Sequence, residues 1–460
     1  MNLKDYLASL QGKTVAVIGI GVSNTPLIRL LREGGIAVTA CDKKNREELG
    51  ELAAELEAMG AELRLGEGYL RDLREDVIFR TPGMRPDVPE FCAAIERGSV
   101  LTSEMEVFFE VCPCPILAVT GSDGKTTTTT LVSELLKAEG KTVHVGGNIG
   151  HPLLAEAGEM SADDFVVLEL SSFQLMTMRK SADKAIVTNL SPNHLDVHKD
   201  YREYVEAMEN IFLHQSSDGL LILNADNEDD VALAPKAKGK VLWFSRKQEV
   251  ACGVYQKGDT LYYTENGESR AVLNVNDILI PGTHNVENYM AAIAMVQGLV
   301  SDETIRKVAK RFNGVAHRIE LVRTLRGVRY YNDSIASSPS RTIAGLRSFP
   351  EKVILIAGGK DKGIPYDEIG PEIRAHVKEL FLTGVTAEKI RRAVVDAPDY
   401  DADALPIHEF EDFKKTILAA SAAAKEGDVV ILSPASTSFD KFRNFAHRGD
   451  TFRAIVEELK

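Results

Sequence analysis

The sequence predicts an α/β protein in which strands and helices alternate along the chain and build parallel sheets. Apolar runs rich in β-branched residues recur, end near a glycine and are followed by helical patterns, as in βαβ units. These runs fall into three sets, separated near residues 112 and 315. A hairpin pattern interrupts the second set, where Glu265-Asn-Gly267 lies between two short apolar runs. We therefore predict three α/β domains over residues 1–112, 113–315 and 316–460.

The apolar runs also indicate the individual strands. The first set starts with residues 14–18 and extends to about residue 109. The second contains residues 115–120, 165–168, 185–188 and 220–223, followed by a β-rich stretch over residues 241–280. The third contains residues 353–357, 379–382 and 429–432. No internal repeat or low-complexity linker interrupts these sets.

The composition excludes several classes of protein. With 460 residues, 44% hydrophobic and 27% charged, the chain is typical of a globular protein. No apolar run reaches the ~18 residues of a transmembrane helix, and the N-terminus lacks a signal-peptide pattern, so we expect a cytoplasmic location. Fifty-four basic and 68 acidic residues give a net charge of −14, which opposes general binding to nucleic acid or to an anionic membrane.

The five cysteines do not indicate a disulfide framework, because their number is odd and they are scattered through a long chain. Cys112-Pro-Cys114 could form half of a metal site, but no second pair of Cys or His at zinc spacing accompanies it. We interpret both as reduced cysteines at a domain junction.

The strongest local pattern is Thr120-Gly-Ser-Asp-Gly-Lys-Thr-Thr127, which lies between an apolar strand and a helical pattern. Glycines allow backbone N–H groups to point at phosphate oxygens, Lys125 neutralises phosphate charge, and Thr126 can bind Mg²⁺. The loop departs from the common G-x-x-x-x-G-K-[ST] form, because Val119 stands where the first glycine is expected. A glycine-rich turn with an incidental lysine is the competing interpretation. We predict a nucleoside triphosphate site in a central P-loop ATPase-type domain.

A second glycine-rich turn follows the first predicted strand. Gly19-Ile-Gly21-Val-Ser-Asn24 resembles the dinucleotide-binding pattern G-x-G-x-x-G, with Asn at the third glycine. The pattern predicts a Rossmann-like N-terminal domain. Alone it is also compatible with a dehydrogenase.

Further motifs appear in an order that resembles one family. They are Gly146-Gly-Asn-Ile-Gly150, Glu169-Leu-Ser-Ser-Phe-Gln174, Asn189-Leu-Ser-Pro-Asn-His-Leu-Asp196, Gly282-Thr-His-Asn285 with Asn288, His317-Arg-Ile-Glu320, Asn332-Asp-Ser334, Gly358-Gly-Lys-Asp-Lys362, and Ser433-Pro-Ala-Ser-Thr-Ser-Phe-Asp-Lys-Phe-Arg-Asn-Phe445 with Arg448-Gly449. Together with the short phosphate loop they resemble the Mur ligase superfamily, which includes the muramoyl amino-acid ligases and folylpolyglutamate synthase. The resemblance implies a Rossmann-like C-terminal domain that binds an amino acid.

The resemblance also narrows the activity. A predicted domain precedes the phosphate loop, whereas folylpolyglutamate synthases begin almost at the loop, so a UDP-sugar-binding domain is implied. The Asp-Asn-Pro-Arg motif of the members that add meso-diaminopimelate is missing. The closing motif looks like that of the members that add D-glutamate. They use ATP to phosphorylate the terminal carboxylate of UDP-N-acetylmuramoyl-L-alanine, and the amine of D-glutamate then attacks the acyl phosphate to give the amide, ADP and phosphate.

Two alternatives stay open. One is a related muramoyl ligase that uses a different amino acid. The other is a nucleotide-binding, non-catalytic subunit of the same descent, although such subunits carry a cysteine-rich zinc ribbon that this chain lacks.

The resemblance implies roles for individual residues. The implied catalytic residues are Lys125, Glu169, His194 and Asn148. ATP and Mg²⁺ are implied as cofactors, with Thr126 and Glu169 on a first ion and His194 on a second. The implied ATP-binding residues are Gly121, Ser122, Asp123, Gly124, Lys125, Thr126, Thr127, Asn285, Asn288, Arg318 and Asp333.

The other two substrates are expected at the outer domains. The residues implied for the UDP substrate are Gly21, Val22, Ser23, Asp42, Thr81 and Gly83. Those implied for D-glutamate are Lys362, Ser438, Phe439 and Phe445. The expected partners are therefore these small molecules, and we expect a monomer.

Two positions depart from the family pattern. In most relatives a carbamylated lysine bridges the second Mg²⁺. This lysine lies fourteen residues after the histidine that corresponds to His194, and this chain has Met208 at its position. The common Asp-Ser-Lys-Ala-Thr is Asp333-Ser-Ile-Ala-Ser337, so Ile335 also replaces a lysine. His198 suggests a zinc-binding helix with His194, but the required Glu is missing and we interpret His198 as structural.

Overall fold

The computed structural model describes residues 1–398 and 400–460, which form three mostly parallel sheets of five, nine and six strands. The predicted α/β fold class is confirmed. The chain divides into two compact units: unit 1 comprises Met1–Val275 and Glu287–Val308, and unit 2 comprises Asn276–Val286 and Ala309–Lys460. Because unit 1 contains two sheets, the predicted domain limits at residues 112 and 315 stay a prediction. Within the described residues, no helix has the length and apolarity needed to cross a membrane.

The N-terminal sheet is entirely parallel, in the order β3-β2-β1-β4-β5. Residues 15–18 of its central strand are fully buried, which explains the continuous apolar run in the sequence. The strands are β1 (Thr14–Ile18), β2 (Ala37–Asp42), β3 (Glu62–Leu65), β4 (Val77–Phe79) and β5 (Val100–Thr102). The helices are α1 (Leu3–Ser9), α2 (Asn24–Glu33), α3 (Arg46–Leu49), α4 (Glu51–Ala58), α5 (Pro89–Glu96) and α6 (Glu104–Val111).

The central sheet has the order β14-β13-β12-β11-β10-β9-β6-β8-β7, in which β13 pairs antiparallel with β12 and with β14 and the other neighbouring pairs are parallel. The strands are β6 (Ile116–Thr120), β7 (Val143–Gly147), β8 (Phe165–Glu169), β9 (Lys184–Val187), β10 (Leu220–Asn224), β11 (Lys240–Ser245), β12 (Gly253–Lys257), β13 (Thr260–Glu265) and β14 (Glu268–Asn274). The helices are α7 (Lys125–Ala138), α8 (Ser172–Leu175), α9 (Tyr201–Glu209), α10 (Glu228–Leu233), α11 (Thr283–Met295) and α12 (Asp302–Ala309). The predicted hairpin is confirmed: Asn266 and Gly267 turn β13 into β14 with φ angles of 54° and 82°.

The third sheet, in unit 2, has the order β15-β16-β20-β17-β18-β19, with β15 antiparallel at one edge. Apolar clusters cover both of its faces. The strands are β15 (Glu320–Leu325), β16 (Val328–Asn332), β17 (Val353–Ala357), β18 (Val377–Leu382), β19 (Ile407–Glu409) and β20 (Val429–Leu432). The helices are α13 (Pro339–Leu346), α14 (Ile369–His376), α15 (Ala387–Val395), α16 (Phe413–Ala423) and α17 (Phe445–Glu458).

The strand order of the central sheet indicates where a ligand can bind. β6 lies between β8 and β9, so the chain adds strands first on one side of β6 and then on the other. In open α/β sheets, ligands bind outside the carboxyl ends of the strands at such a switch point. The segments that leave β6, β7 and β9 carry the phosphate loop, Asn148 and His194, and β8 ends at Glu169.

Candidate active site

The phosphate loop connects the end of β6 to the start of α7. Gly124 has a left-handed φ of 81° and α7 begins at Lys125, so the N–H groups of the first helical turn lie at the loop. Gly121 has a φ of 138°, and a Cβ there would collide with Thr188 Oγ1. Lys125 Nζ donates to the carbonyls of Gly121 and Ser122 at 2.8 and 3.0 Å. The lysine therefore lies over the loop.

Two neighbouring segments hold the loop in place. Ser122 Oγ lies 3.0 Å from Tyr204 Oη on α9 and donates to Ser191 O at 3.0 Å. Asp123 N donates to Asn189 Oδ1 at 3.0 Å. The segment after β9 and helix α9 thus fix the loop conformation. Sequence reasoning missed Tyr204, which belongs to no motif.

The threonines at the start of α7 differ in how far they are buried. Thr126 is half-buried and Thr127 is buried. Thr128 Oγ1 donates to Asn288 Oδ1 at 3.2 Å, and a Cβ at Gly124 would collide with Asn288 Oδ1. Asn288 therefore lies against the first turn of α7, and its predicted contact with ATP stays a prediction.

Glu169 and Asn148 lie side by side at the carboxyl ends of β8 and β7. Asn148 Nδ2 donates to Glu169 Oε1 at 2.6 Å, and Asn148 N donates to Glu169 O at 2.7 Å. Gly147 has a φ of 95°, and a Cβ there would collide with Glu169 O, so this approach requires glycine. Glu169 is 1% exposed, and its Oε2 has no hydrogen-bond partner among the described residues. A buried carboxylate oxygen without a partner costs free energy unless a ligand satisfies it.

These donors fit a hard divalent cation. Mg²⁺ prefers oxygen ligands and is commonly held by one or two protein groups together with water and phosphate oxygens. Glu169 Oε2 supplies an unsatisfied oxygen, and β8 pairs with β6, whose loop leads to Thr126. Residues 1–398 and 400–460 contain no group of three or more His, Cys, Asp or Glu placed to hold a metal. The protein ligands alone would therefore leave most positions around Mg²⁺ to phosphate and water.

His194 follows β9 in a strained backbone conformation. Its φ of 53° is uncommon for a residue other than glycine, and such strain often marks functional segments. The His194 carbonyl accepts the N–H groups of Val197 and His198 at 3.1 and 3.0 Å, which closes a short turn. The residue is exposed, and its ring meets the Phe173 ring edge-on at 5.1 Å. The turn therefore presents His194 at the carboxyl edge of the central sheet.

Met208 lies in the core beneath the phosphate loop. It is 1% exposed and belongs to the main apolar cluster of unit 1. Its Sδ lies 2.9 Å from Thr120 Oγ1, which donates to it. Because Thr120 is the last residue of β6, the thioether lies directly below the start of the loop.

Asn285 and Ile335 form local hydrogen bonds. Asn285 Nδ2 donates to Pro281 O at 2.5 Å. Ile335, which is half-buried, donates its N–H to His317 O at 3.1 Å. The predicted contact of Asn285 with ATP stays a prediction.

A cavity in unit 1 is lined by segments that follow strands of the N-terminal sheet and by segments at the carboxyl edge of the central sheet. Among its lining residues are Val22, Ser23, Asn24, Glu104, Asn148 and Gln174. The cavity thus brings together Val22 and Ser23, predicted for the UDP substrate, with Asn148, predicted as a catalytic residue. Of the described residues predicted for the UDP substrate, the lining does not include Gly21, Asp42, Thr81 and Gly83.

Asp42 supports the glycine-rich turn after β1. Its Oδ2 accepts the N–H of Ile20 at 2.6 Å, and its Oδ1 accepts the N–H of Lys44 at 2.8 Å. Asn24, at the position of the third glycine, donates Nδ2 to Ile18 O at 2.9 Å and so ties α2 to β1. These backbone contacts explain the two side chains without a ligand, and the predicted contact of Asp42 with the UDP substrate stays a prediction.

Sequence reasoning missed Glu104, the first residue of α6. It is buried, and its Oε1 accepts the N–H of Leu154 at 3.0 Å, which supports the segment after Asn148. Burial raises the pKa of Glu104 to about 7, although hydrogen bonds from Leu154 and Leu153 oppose the rise. A glutamate inside the apolar pattern of α6 is the signal that could have revealed it.

In unit 2, the residues predicted for D-glutamate follow β17 and β20. Lys362 is exposed, and its Nζ lies 3.5 Å from Ser337 Oγ. Ser438 is 1% exposed, and its hydroxyl has no hydrogen-bond partner among the described residues. Phe439 and Phe445 are 61% and 40% exposed. The two segments thus provide a cation, a buried hydroxyl and accessible aromatic surface.

Arg318 lies in a strained segment of unit 2. Its neighbours His317 and Ile319 have left-handed φ angles of 64° and 43°, which a β-branched residue rarely adopts. Asp333 holds this segment, because its Oδ1 accepts the N–H of Ile319 at 3.3 Å and its Oδ2 accepts the hydroxyl of Ser433 at 2.7 Å. Burial raises the pKa of Asp333 to about 7. The ATP contacts predicted for Arg318 and Asp333 stay predictions.

Helix α17 supports the same segment. A Cβ at Gly449 would collide with His317 Nδ1, so glycine is required for their close approach. Asn332 Nδ2 lies 3.1 Å from His317 Nδ1 and 3.3 Å from Gly449 O. Arg453 Nη2 donates to both Glu320 carboxylate oxygens at 2.7 and 2.8 Å.

Comparisons with known proteins agree with this architecture. Residues 119–296 match the Mur ligase middle domain, and residues 317–436 match the Mur ligase glutamate ligase domain. The chain is 52% identical to a UDP-N-acetylmuramoylalanine–D-glutamate ligase of Acetivibrio thermocellus and 50% identical to one of Ruminiclostridium cellulolyticum, in each case over 100% of this chain and 99% of the relative. The crystal structure of a UDP-N-acetylmuramate-alanine ligase from Thermotoga maritima shares the fold, with a TM-score of 0.57 and 19% identity over 97% of this chain and 100% of that one. Both the full-length identities and the two matched domains show that this chain belongs to the Mur ligase family.

Proposed function

We propose that the protein is an ATP-dependent ligase that joins D-glutamate to UDP-N-acetylmuramoyl-L-alanine in the synthesis of the peptidoglycan precursor. The observation that carries the proposal is the unsatisfied carboxylate of Glu169, which has Asn148 beside it and ends β8, the strand next to the one that leads into the phosphate loop. The choice of D-glutamate is supported by identities of 52% and 50% to full-length relatives that bear the name of this ligase.

The first step transfers the γ-phosphoryl group of ATP to the terminal carboxylate of the UDP substrate, so two anions must approach each other. Lys125 and the N–H groups at the start of α7 provide fixed positive charge for this approach. Mg²⁺ would add positive charge between the phosphate oxygens. We assign it to Thr126 and Glu169, and a second ion to His194.

In the second step, the amine of D-glutamate attacks the acyl phosphate, and negative charge develops on the former carbonyl oxygen. Asn148 donates one N–H of its carboxamide to Glu169 Oε1. A carboxamide has two such protons, so the other can be donated to the developing oxyanion. The hydrogen bond to Glu169 fixes the orientation of the carboxamide before the substrate binds.

The remaining assignments follow the same proposal. Residues 1–112 would bind the UDP group with Gly21, Val22, Ser23, Asp42, Thr81 and Gly83, and residues 113–315 would bind ATP. Residues 316–460 would bind D-glutamate with Lys362, Ser438, Phe439 and Phe445. Asn285, Asn288, Arg318 and Asp333 would add contacts to the nucleotide. We propose that the protein acts in the cytoplasm, where ATP is available. We also propose that it works as a monomer, which light scattering of the purified protein tests by measuring its molar mass.

The test is phosphate release from ATP in the presence of UDP-N-acetylmuramoyl-L-alanine and one amino acid at a time. We expect release with D-glutamate and little with L-glutamate, L-lysine or meso-diaminopimelate. Glu169→Gln keeps the size of the side chain but removes its charge, and should lower turnover at least ~100-fold. Glu134→Gln, at an exposed position on α7, is the control. Equal release with another amino acid, or normal turnover of folded Glu169→Gln, would contradict the proposal.

A further inference from the structure

His198 connects the segment after Glu169 with the turn that carries His194. Its side chain is 0% exposed, and its Nε2 lies 2.9 Å from Ser172 Oγ. Ser172 is the first residue of α8, three residues after Glu169. The N–H of His198 also donates to His194 O at 3.0 Å. His198 therefore contacts the segment after Glu169 through its buried ring and the turn that carries His194 through its backbone N–H.

The Phe173 ring forms a second connection between the two histidines. His198 stacks on it at 5.4 Å between ring centroids, with an angle of 9° between the planes. His194 contacts the same ring edge-on at 5.1 Å and 61°. A shift of the His198 ring would therefore be passed through Phe173 to His194.

A group of charged side chains holds the other side of the turn. Glu203 Oε2 lies 3.6 Å from His198 Nδ1, and both oxygens of Glu203 accept hydrogen bonds from Arg85 at 2.8 Å. Arg85 Nη1 also donates to Val197 O at 2.8 Å. Arg85 lies in the segment after β4, so the turn is fixed from the N-terminal sheet as well as from the central sheet.

We propose that His198 is a positioning residue that sets the location of His194 relative to Glu169, and thereby the affinity of the second metal ion. The inference rests on the proposed function. A left-handed conformation such as that of His194 persists only when its surroundings hold it, and His198 with its neighbours provides that hold. Its buried ring leaves no face for a substrate, so it acts through Ser172 and Phe173.

The test measures metal binding without turnover. Mn²⁺ is titrated into the protein with a non-hydrolysable ATP analogue, and free Mn²⁺ is followed by electron paramagnetic resonance. We expect a tighter and a weaker class of bound ion. His198→Phe keeps the stacking on Phe173 but loses the hydrogen bond to Ser172, and Ser172→Ala removes the same bond from the other side. Each should weaken the weaker class about three- to tenfold and leave the tighter class unchanged.

A double substitution separates positioning from general damage. If His198 acts through His194, then His198→Phe should cause no further loss of Mn²⁺ binding in the His194→Ala protein. His408→Phe is the matched control, because His408 also stacks on a phenylalanine, Phe381, at 4.8 Å and faces a carboxylate, but lies in unit 2. It should leave Mn²⁺ binding unchanged. Thermal unfolding shows whether each variant is folded. If His198→Phe does not fold, the Mn²⁺ measurement on Ser172→Ala replaces it as the test.

Three results would overturn the inference: a single class of bound Mn²⁺, unchanged binding in both His198→Phe and Ser172→Ala, or a further loss in the His194→Ala protein. Turnover gives an independent readout. The Mg²⁺ concentration for half-maximal rate should rise in His198→Phe, whereas the KM for D-glutamate should not change. Failure of the unsubstituted protein to release phosphate with D-glutamate would instead refute the proposed function, and the Mn²⁺ comparison would still decide the role of His198.

Discussion

Replacing Glu104 with glutamine should stabilise unit 1 at pH 8 and have little effect at pH 5. Burial raises the pKa of Glu104 from its ordinary value of 4.5 to about 7 in the folded protein. Between these values the unfolded chain releases a proton that the folded protein retains. The stabilisation contributed by this group is therefore fully present below pH 4.5 and is lost as the pH rises through about 7.

The difference between the two pKa values corresponds to on the order of 3 kcal/mol in the free energy of unfolding. Glutamine stays uncharged at every pH and can still accept the Leu154 N–H through its amide oxygen. The advantage of Glu104→Gln should therefore grow from below about 1 kcal/mol at pH 5 to about 3 kcal/mol at pH 8.

Urea unfolding followed by tryptophan fluorescence measures this difference. The single tryptophan, Trp243, lies on β11 in unit 1, so its signal reports the unit that contains Glu104. Glu134→Gln, at an exposed position on α7, is the control and should leave both midpoints unchanged. A Glu104→Gln effect that is the same at both pH values, or a loss of stability at pH 8, would refute the reasoning.

Three further predictions concern the reaction. Lys125→Ala should lower kcat by ~100- to 1,000-fold in a folded protein, because it removes the fixed cation from the phosphate loop, and near-normal turnover would contradict that role. Lys362→Ala should raise the KM for D-glutamate far more than the KM for ATP, and Lys360→Ala, at an exposed position, is the control. A change in the KM for ATP alone would instead indicate that Lys362 binds the nucleotide. Because the thioether of Met208 is a poor ligand for Mg²⁺, turnover measured in a Mg²⁺ titration should not respond to bicarbonate. Strong bicarbonate activation would show that a lysine elsewhere carries a carbamate.

Patterns that depend on near neighbours could be predicted from the sequence. The hairpin at Asn266-Gly267 was predicted because the required left-handed conformations suit these two residues, and both adopt them. The strands of the sheets were predicted for a similar reason. Burial on both faces selects continuous apolar runs, such as residues 15–18 of β1.

Contacts between distant segments could not be predicted in this way. Tyr204 reaches Ser122 across 82 residues, and Glu104 reaches Leu154 across 50 residues. The helical pattern of α9 or α6 shows which face is apolar, but not which segment meets each side chain. The sequence indicated a structural role for His198, whereas its contacts with Ser172 and Phe173 required the folded arrangement.

The contacts of α17 also have a consequence for the synthesis of the chain. The strained backbone around Arg318 depends on Gly449 and Arg453, which the ribosome adds after all of unit 1. A nascent chain that has already completed both sheets of unit 1 therefore still lacks the support for Arg318. A product that ends before α17, whether from premature termination or from proteolysis, should retain a folded phosphate loop but leave the segment around Arg318 without its fixed conformation.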